Sequence, residues 1–527
     1  SCEDAKNSNN KWFPYNKGGA FRRWYGNRDY IVNWENDGLE IKNFRDKGGK
    51  VRSRPQNLQF YFKPAITWSD ITSASFSGRY SEQGFMFDIK GSSGFPPRKD
   101  LPYVLGFLNS SVSQMCIKIL NPTVTTQVGD MARIPVVDAE AKKEIITELV
   151  SNNISFSKSD WDSFETSWDF KTHPLVELRL SGAYVWGDNP PTMRIESAYK
   201  AWETLCEGRF QKLKANEEEL NRIFIEIYGL QDELTPEVED KDVTVRRADL
   251  GRDIRSLISY AVGCIFGRYS LDEPGLVLAG QSFESHFFAA SAPRSGTGRA
   301  GAPGPYHNTG KFYYKTADGI KPCTFSPDAD NVIPITDEEY FPDDLTGLFV
   351  AWVKKVFGAD SLEDNLAFIA KALGTKGTSP RAVIRNYFLN GFYADHVKIY
   401  QKRPIYWLYD SGKQNGFKAL IYMHRYNADT SGLVRADYLY KMEQVYESEI
   451  ARMDDAIAHG ASREVAQATK RKEKLVKQLK ECKDYDDRLG HIALAQIAID
   501  LDDGVKLNYE KVQTGADGKK QAILAKI

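Results

Sequence analysis

A pair of long polar helical stretches near the end of the chain restricts the fold most. Residues 436–458 and 463–482 carry sparse apolar side chains at helical spacing, and the four residues HGAS separate them. A connection this short holds two helices antiparallel, and Ser462 is placed as the N-cap of the second helix. The pattern therefore predicts a long antiparallel helical hairpin, which suits a spacer or docking element better than a catalytic site.

The first hundred residues follow a different pattern, with short strands between turn residues. Strand-like runs at 30–34, 58–62 and 85–89 are separated by NDG, DKGGK and GSSG. Apolar residues at helical spacing then predict one helix over 101–119, which Asn121-Pro122 ends, and TVTTQV continues as a β-like stretch. This part of the chain is expected to be a β-rich domain.

The middle of the chain is mostly helical. Periodicity predicts helices at 139–149, 197–228, 249–266, 344–373 and 379–393, a β-hairpin of 405–409 with 419–424, and an exposed Gly/Pro-rich loop at 289–310. The predicted fold class is α+β and multidomain: a β-rich domain, then helical domains, then the long antiparallel helical hairpin. The predicted domains are 1–137, 138–345, 346–430, and 431–527 with the hairpin spacer and C-terminal tail.

Basic and aromatic residues alternate in KWFPYNKGGAFRRWYGNR, residues 11–28. Basic groups can neutralise phosphates, and flat rings can pack on sugars or bases. Residues 1–135 also hold 19 Lys and Arg against 12 Asp and Glu. These features favour a nucleic-acid partner; the alternative is a sheet whose aromatic rings face a core while the guanidinium groups lie in water.

Motifs for catalysis or metal binding are weak in this sequence. The glycines Gly296, Gly298 and Gly301 follow no predicted strand, so they are not interpreted as a cofactor-binding loop. Asn189-Pro190-Pro191 resembles the start of the turn that holds a flipped adenine, but Thr192 stands where the aromatic ring that stacks on the base would be needed. No two of the seven histidines have metal-ligand spacing, so no metal is predicted, and no catalytic residue is assigned. The six cysteines stand singly, as expected for reduced thiols.

Neither a membrane-spanning segment nor a signal peptide is predicted. The sequence has no run of about 18 apolar residues, and SCEDAKNSNN lacks an apolar region. The predicted compartment is the cytoplasm, and no membrane partner is expected.

Residues 102–136 resemble the closing part of target-recognition domains in type I specificity subunits and type IIG restriction-modification enzymes. There, a helix with a Leu-Asn-Ser centre precedes a β-stretch, a Gly-Asp turn and Ile-Pro-Val; KPAITW and GFMF match the strands before it. More narrowly, the chain resembles the C-terminal half of the PglX family, the adenine-specific DNA methyltransferases of BREX phage-defence systems. The matching segments include WFPYNKGGAFRRWYGN, NEEELNRIFIEIYGLQDEL, DIRSLISYAVGCIFGRYSLD and RPIYWLYDSGKQNGFKALIYMHRY.

The resemblance implies that catalysis and the selection of the DNA site belong to different parts of the enzyme. The family's cofactor-binding and Asn-Pro-Pro-Tyr motifs are expected before Ser1, so S-adenosylmethionine is implied for a separate N-terminal catalytic domain and for no site in this chain. This chain would select the duplex site at which the exocyclic amine of adenine is methylated, and would not be catalytic alone. The expected partners are double-stranded DNA, other BREX proteins and an acidic phage protein that mimics DNA.

Two groups of residues are predicted to contact DNA. The candidate phosphate contacts are Lys17, Arg22, Arg23, Arg98 and Lys99. The candidate base readers are Ser69, Asp70, Ser75, Arg79 and Tyr80. Arg79 could equally serve as an ion-pair partner, and Trp68 fits a core better than a DNA groove.

Two other functions remain open from the sequence. The chain could be the specificity region of a type IIG restriction-modification enzyme, which binds DNA by the same physics. It could also be a scaffold that docks other defence proteins, with its basic segment merely solvated.

Overall fold

The computed structural model describes residues 1–71, 75–180, 193–289, 312–316 and 319–527. The chain divides into two compact units: unit 1 is Ser1–Asp169 with Trp202–Ala248, and unit 2 is Phe170–Ala201 with Asp249–Ile527. Both units combine helices with small sheets, which confirms the α+β multidomain fold. The domain boundaries after residues 137, 345 and 430 remain predictions.

Some predicted segments fall outside this description. They are the turn at 188–192 and residues 290–310 of the Gly/Pro-rich loop. No described helix combines the length and the apolar character that crossing a bilayer requires.

Two three-stranded sheets lie in the first hundred residues. One has the order β2-β1-β5 and the other β4-β3-β6, and only the β1–β5 pair is parallel within them. The elements are α1 (Cys2–Asn7), β1 (Trp12–Asn16), β2 (Ile31–Asn33), α2 (Glu35–Asn43), β3 (Ala65–Thr67), β4 (Arg79–Ser81), β5 (Met86–Phe87) and β6 (Ser93–Gly94).

Three local predictions in the first 130 residues were wrong, and the helix predicted over 344–373 is two helices, Leu345–Phe357 and Leu362–Leu373. Residues 58–62 form a 3-10 turn at Leu58–Phe60, because Asn57 turns the chain at a φ of +58°. The helix predicted over 101–119 is two helices, α3 (Leu101–Asn109) and α4 (Ser111–Leu120), because Ser110 is extended and its Oγ accepts the Ser113 N–H. Within the described part of the chain TVTTQV forms no strand: Thr125 makes an isolated β-bridge to Ile71, and the Thr126 N–H donates to the Asp70 carbonyl.

Helices dominate the rest of unit 1 and most of unit 2. They are α5 (Val128–Met131), α6 (Lys143–Trp161), α7 (Pro174–Glu177), α8 (Ile195–Tyr228), α9 (Leu250–Ile265), α10 (Phe283–His286), α11 (Leu345–Phe357), α12 (Leu362–Leu373), α13 (Pro380–Asn390) and α14 (Phe392–Ile399). The core of unit 1 is built from α3, α4, α6 and α8, and a Cβ on Gly106 of α3 would lie 2.9 Å from Val150 of α6. This close approach explains the glycine.

Unit 2 contains two further sheets. Strands β7 (Phe287–Ala289), β8 (Phe312–Thr316) and β9 (Gly319–Pro322) form one of them. The other has the order β10-β12-β11, with β10 (Ile333–Pro334), β11 (Tyr406–Asp410) and β12 (Lys418–Tyr422). Strands β11 and β12 pair antiparallel, which confirms the β-hairpin predicted around SGKQNG.

The predicted helical hairpin is also present. After α15 (Thr430–Leu433) and a π-helical turn at Val434–Leu439, α16 (Tyr440–His459) and α17 (Ser462–Ala495) pack together, and α18 (Gly504–Lys511) follows. Ion pairs of Lys472 with Asp454 and of Lys483 with Glu447 show the antiparallel direction. Ser462 begins α17 and is not its N-cap; Ala461 precedes the helix and donates its N–H to the Glu464 carboxylate.

Candidate nucleic-acid interface

The basic and aromatic stretch at 11–28 is part of the framework of unit 1. Trp24 and Tyr25 are each 1% exposed. The Trp24 N–H donates to the Gly78 carbonyl, and the Trp24 carbonyl accepts the Tyr80 N–H, so this segment joins the edge of β4. These two rings therefore face a core, as one interpretation of the sequence requires, whereas Trp12 is 38% exposed. That interpretation also placed the guanidinium groups in water, which is not where Arg22 and Arg23 lie.

Arg22 is buried in an ion-pair cluster with α6. Its Nη2 lies 2.7 Å from Oδ2 of Asp160, whose side chain is 1% exposed, and its Nε donates to the Tyr25 carbonyl. Arg246 contacts the same carboxylate. Burial opposes the charge of Asp160, but Arg246 and Arg22 hold the pKa of this carboxyl below its usual value. Arg22 therefore serves the fold and is not free to contact a phosphate.

Arg23 is held in the same way by α8. Its Nη1 lies 3.0 Å from Oε2 of Glu217, and the Trp24 indole N–H donates to the other carboxylate oxygen at 2.6 Å. Burial raises the pKa of Glu217 although Arg23 acts against this shift. A buried charge needs such a partner. Arg23 is therefore engaged with Glu217 and is not available to contact a phosphate.

Arg79, one of the predicted base readers, is 1% exposed. Its Nη1 donates to the backbone carbonyls of Arg22 and Ser77, and burial together with nearby Arg22 lowers its pKa to about 10. A side chain in this position cannot reach a base edge in a groove. The prediction for Arg79 is therefore corrected: it is a core residue that braces the Arg22 segment.

The other predicted base readers are divided between structural roles and an open position. Ser69 Oγ donates to the Gly19 carbonyl and accepts the Gly19 N–H, and the buried Asp70 pairs with Lys90 at 3.0 Å. Tyr80 is half-buried against the core of unit 1. Ser75 is half-buried as well and lines a cavity. Trp68 is a core residue, as predicted.

The cavity beside Ser75 has a volume of about 470 Å³. One face of α4 and the segment after α8 form its walls, with Arg23, Asn109, Ser111, Gln114, Met115, Lys118, Ile119, Asn221, Leu234, Glu237, Val238 and Asp242 as the other lining residues. The segment 230–242 carries six acidic residues and one lysine. Repulsion by this wall makes the cavity unsuitable for a phosphate backbone.

Three predicted phosphate contacts remain on the surface. Lys17 pairs with Asp88 at 3.0 Å but keeps 43% of its side chain exposed. Arg98 and Lys99 are exposed just before α3, and within the described part of the chain neither forms an ion pair. These three side chains can approach an anionic surface without breaking the core.

A basic turn at residues 44–54 was missed as a candidate site. Its sequence, FRDKGGKVRSR, carries five basic side chains and one carboxylate, and all five basic residues are exposed. In the sequence this segment was interpreted only as turn punctuation, DKGGK. The density of Lys and Arg around two glycines was the available signal.

The buried histidines of unit 2 have structural roles. His396 Nε2 accepts the backbone N–H groups of Ile405 and Tyr406, each at 3.1 Å, and burial lowers its pKa well below the usual value. Burial also lowers the pKa of His173 to about 3 and that of His424 to about 4. Among the described residues, no group of three His, Cys, Asp or Glu side chains could hold a metal ion.

Comparison with known proteins adds to this geometry. No family model matches the chain. It is 42% identical over 514 residues to the adenine-specific methyltransferase PglX of Lacticaseibacillus casei (strain Zhang), an alignment that covers 95% of this chain and 39% of the relative. It is 34% identical over 530 residues to the adenine-specific methyltransferase BrxX of Escherichia coli O9:H4 (strain HS), covering 95% and 40%. The chain thus spans about two fifths of these relatives' length, and the matches confirm the predicted resemblance.

Proposed function

Because this chain is homologous over nearly its whole length to part of the adenine-specific methyltransferases PglX and BrxX, we propose that it is the DNA-recognition region of such an enzyme. It would select the duplex DNA site at which the rest of the enzyme methylates adenine. We assign this activity to a BREX phage-defence system in the cytoplasm. The match to methyltransferases along 95% of the chain carries this proposal. The exposed Lys17, Arg98 and Lys99 of unit 1 support it, because a DNA-binding surface needs accessible cations.

We infer no S-adenosylmethionine site in the cavity of unit 1. The 470 Å³ cavity of unit 1 has no aromatic side chain in its lining that could stack on the adenine of the cofactor. Gly296, Gly298 and Gly301 lie outside the described residues. We therefore assign the cofactor to the part of the relatives' length that this chain does not span.

A filter-binding titration with duplex DNA at several salt concentrations tests the proposal. We expect affinity to fall steeply with salt and to fall further in the double variant Arg98→Ala/Lys99→Ala. The matched control is Lys470→Ala/Lys477→Ala on α17, where two exposed lysines also lack ion-pair partners among the described residues. Absence of salt-dependent binding by the wild-type chain would overturn the proposal and favour a protein-docking scaffold.

The same surface explains how a phage protein that mimics DNA would act. An acidic mimic would occupy the cations that otherwise contact phosphates, so it should displace duplex DNA in the titration.

A further inference from the structure

The basic turn at residues 44–54 is a prearranged hairpin tip. The Arg52 N–H donates to the Phe44 carbonyl and the Asp46 N–H to the Lys50 carbonyl, each at 2.9 Å, so the two arms are tied together. Arg45 and Val51 form a β-bridge between the arms. Gly48 and Gly49 form the tip, with Gly49 at a φ of +79°.

The one acidic residue of the turn is used to build it. The Oδ1 atom of Asp46 accepts the N–H groups of Gly48 and Lys50, each at 3.0 Å, and its Oδ2 lies 2.7 Å from Nε of Arg52. Both carboxylate oxygens of Asp46 are therefore engaged within the turn, by main-chain N–H groups and by Arg52. The turn keeps a net charge of +4 over eleven residues.

Several cations of the turn have no acidic partner. Among the described residues, Lys47, Lys50 and Arg54 form no ion pair, whereas Lys42 just before the turn pairs with Asp37. Arg45 uses one guanidinium nitrogen on the Gly49 carbonyl at 2.9 Å. A Cβ atom built on Gly49 would meet nothing within 4 Å, so the tip projects into open space.

We propose that this turn is a phosphate-binding element that contacts the backbone of duplex DNA beside the recognised site. The inference rests on the proposed function and extends it to a specific surface. Two glycines at the tip let the main chain approach a strand closely, and the free ammonium groups of Lys47 and Lys50 flank that tip. Lysine binds phosphate as a point charge, so the turn adds affinity for every sequence and no base preference.

The fixed hairpin geometry strengthens this interpretation. Since Asp46 and the cross-arm hydrogen bonds already order the main chain, binding would order only the lysine and arginine side chains. Phe44 and Val51 are 57% and 43% exposed at the base of the turn, where they can pack on deoxyribose.

The test compares the double variant Lys47→Glu/Lys50→Glu with Lys470→Glu/Lys477→Glu, which changes the net charge equally on α17 of unit 2. We expect the turn variant to bind duplex DNA at least about tenfold more weakly, and the slope of log affinity against log salt to fall by about 2. The loss of affinity should be the same for duplexes that contain the site selected for methylation and for duplexes in which that site is scrambled. The α17 variant should retain both the wild-type affinity and the wild-type slope.

The outcomes separate this inference from the proposed function. If the wild-type chain binds DNA and the turn variant binds equally well, the turn is not a phosphate contact while DNA recognition stands. If the wild-type chain does not bind DNA, both the inference about the turn and the proposed function are overturned. If the turn variant loses binding to phosphatidylserine vesicles but not to DNA, the turn contacts a membrane surface and the inference is overturned. Melting curves must match the wild type, since both lysines are exposed and support no packing.

Discussion

The side-chain amide of Asn109 grips the peptide of Gly78 from both ends: Oδ1 accepts the Gly78 N–H at 2.8 Å, and Nδ2 donates to the Gly78 carbonyl at 3.0 Å. Asn109 ends α3, and Gly78 immediately precedes β4. The same carbonyl accepts the Trp24 N–H at 2.9 Å, so the main chain of one residue joins three segments of unit 1. The Leu-Asn-Ser centre that marks the resemblance is therefore a structural clamp.

Replacing Asn109 with Ala should destabilise unit 1 by about 2–4 kcal/mol, because two buried hydrogen bonds are lost and the Gly78 N–H keeps no partner. Calorimetric melting measures the change. Ser111→Ala is the matched control two residues away, since its buried Oγ has no hydrogen-bond partner within the described chain and should lose almost nothing. Equal melting temperatures for the two variants would contradict the clamp.

Asp160→Asn should remove the carboxylate that Arg22 and Arg246 share, at a cost of about 3–5 kcal/mol at pH 7. Because the folded pKa of Asp160 is depressed, its contribution is complete above the ordinary carboxyl pKa of about 3.9 and is lost as pH falls through the folded value. In urea unfolding, the difference in unfolding free energy between wild type and variant should be constant from pH 7 to 5 and should decrease in more acidic solution. Asp138→Asn, in an exposed pair with Lys143, should change little at any pH.

His396 should make unit 2 sensitive to mild acid. In the unfolded chain this imidazole takes up a proton below about pH 6.5, whereas in the folded protein it is buried and stays neutral. The free energy of unfolding should therefore fall by about 1.4 kcal/mol for each unit that the pH decreases, for this residue. His396→Gln keeps an acceptor for the main chain and should reduce the pH dependence between pH 6 and 5 by the share of one histidine, while His173 and His424, whose pKa values burial also lowers, keep the rest. His459→Gln, at an exposed position of α16, is the control for the substitution itself at pH 7.

Gly91→Ala should destabilise unit 1 by about 1–3 kcal/mol or more, because the added Cβ would lie 2.2 Å from the backbone carbonyl oxygen of Asn16. A main-chain atom of β1 cannot move aside as a flexible side chain can. Gly129→Ala, where a Cβ meets nothing within 4 Å, is the control and should melt at or slightly above the wild-type temperature. A wild-type melting temperature for Gly91→Ala would show that β1 tolerates the shift.

The elements that could be predicted from the sequence are those set by local pattern. The hairpin of α16 and α17 follows from helical spacing broken by four residues, and the pair of β11 and β12 from alternation around a turn. The roles of Arg22 and Arg23 could not be predicted, because their partners Asp160 and Glu217 lie 138 and 194 positions away along the chain. A sequence shows that a residue is basic but does not show which distant carboxylate neutralises it.

The return of residues 202–248 into unit 1 has a consequence for how segments can be exchanged between this chain and its relatives. A hybrid that exchanges only the first 137 residues keeps foreign versions of Asp160, Glu217 and Arg246 beneath its new Arg22, Arg23 and Trp24. Any mismatch there leaves a guanidinium or carboxylate uncompensated in the core. Viable chimeras, whether made in the laboratory or by recombination, should therefore carry both segments together or conserve these buried charges.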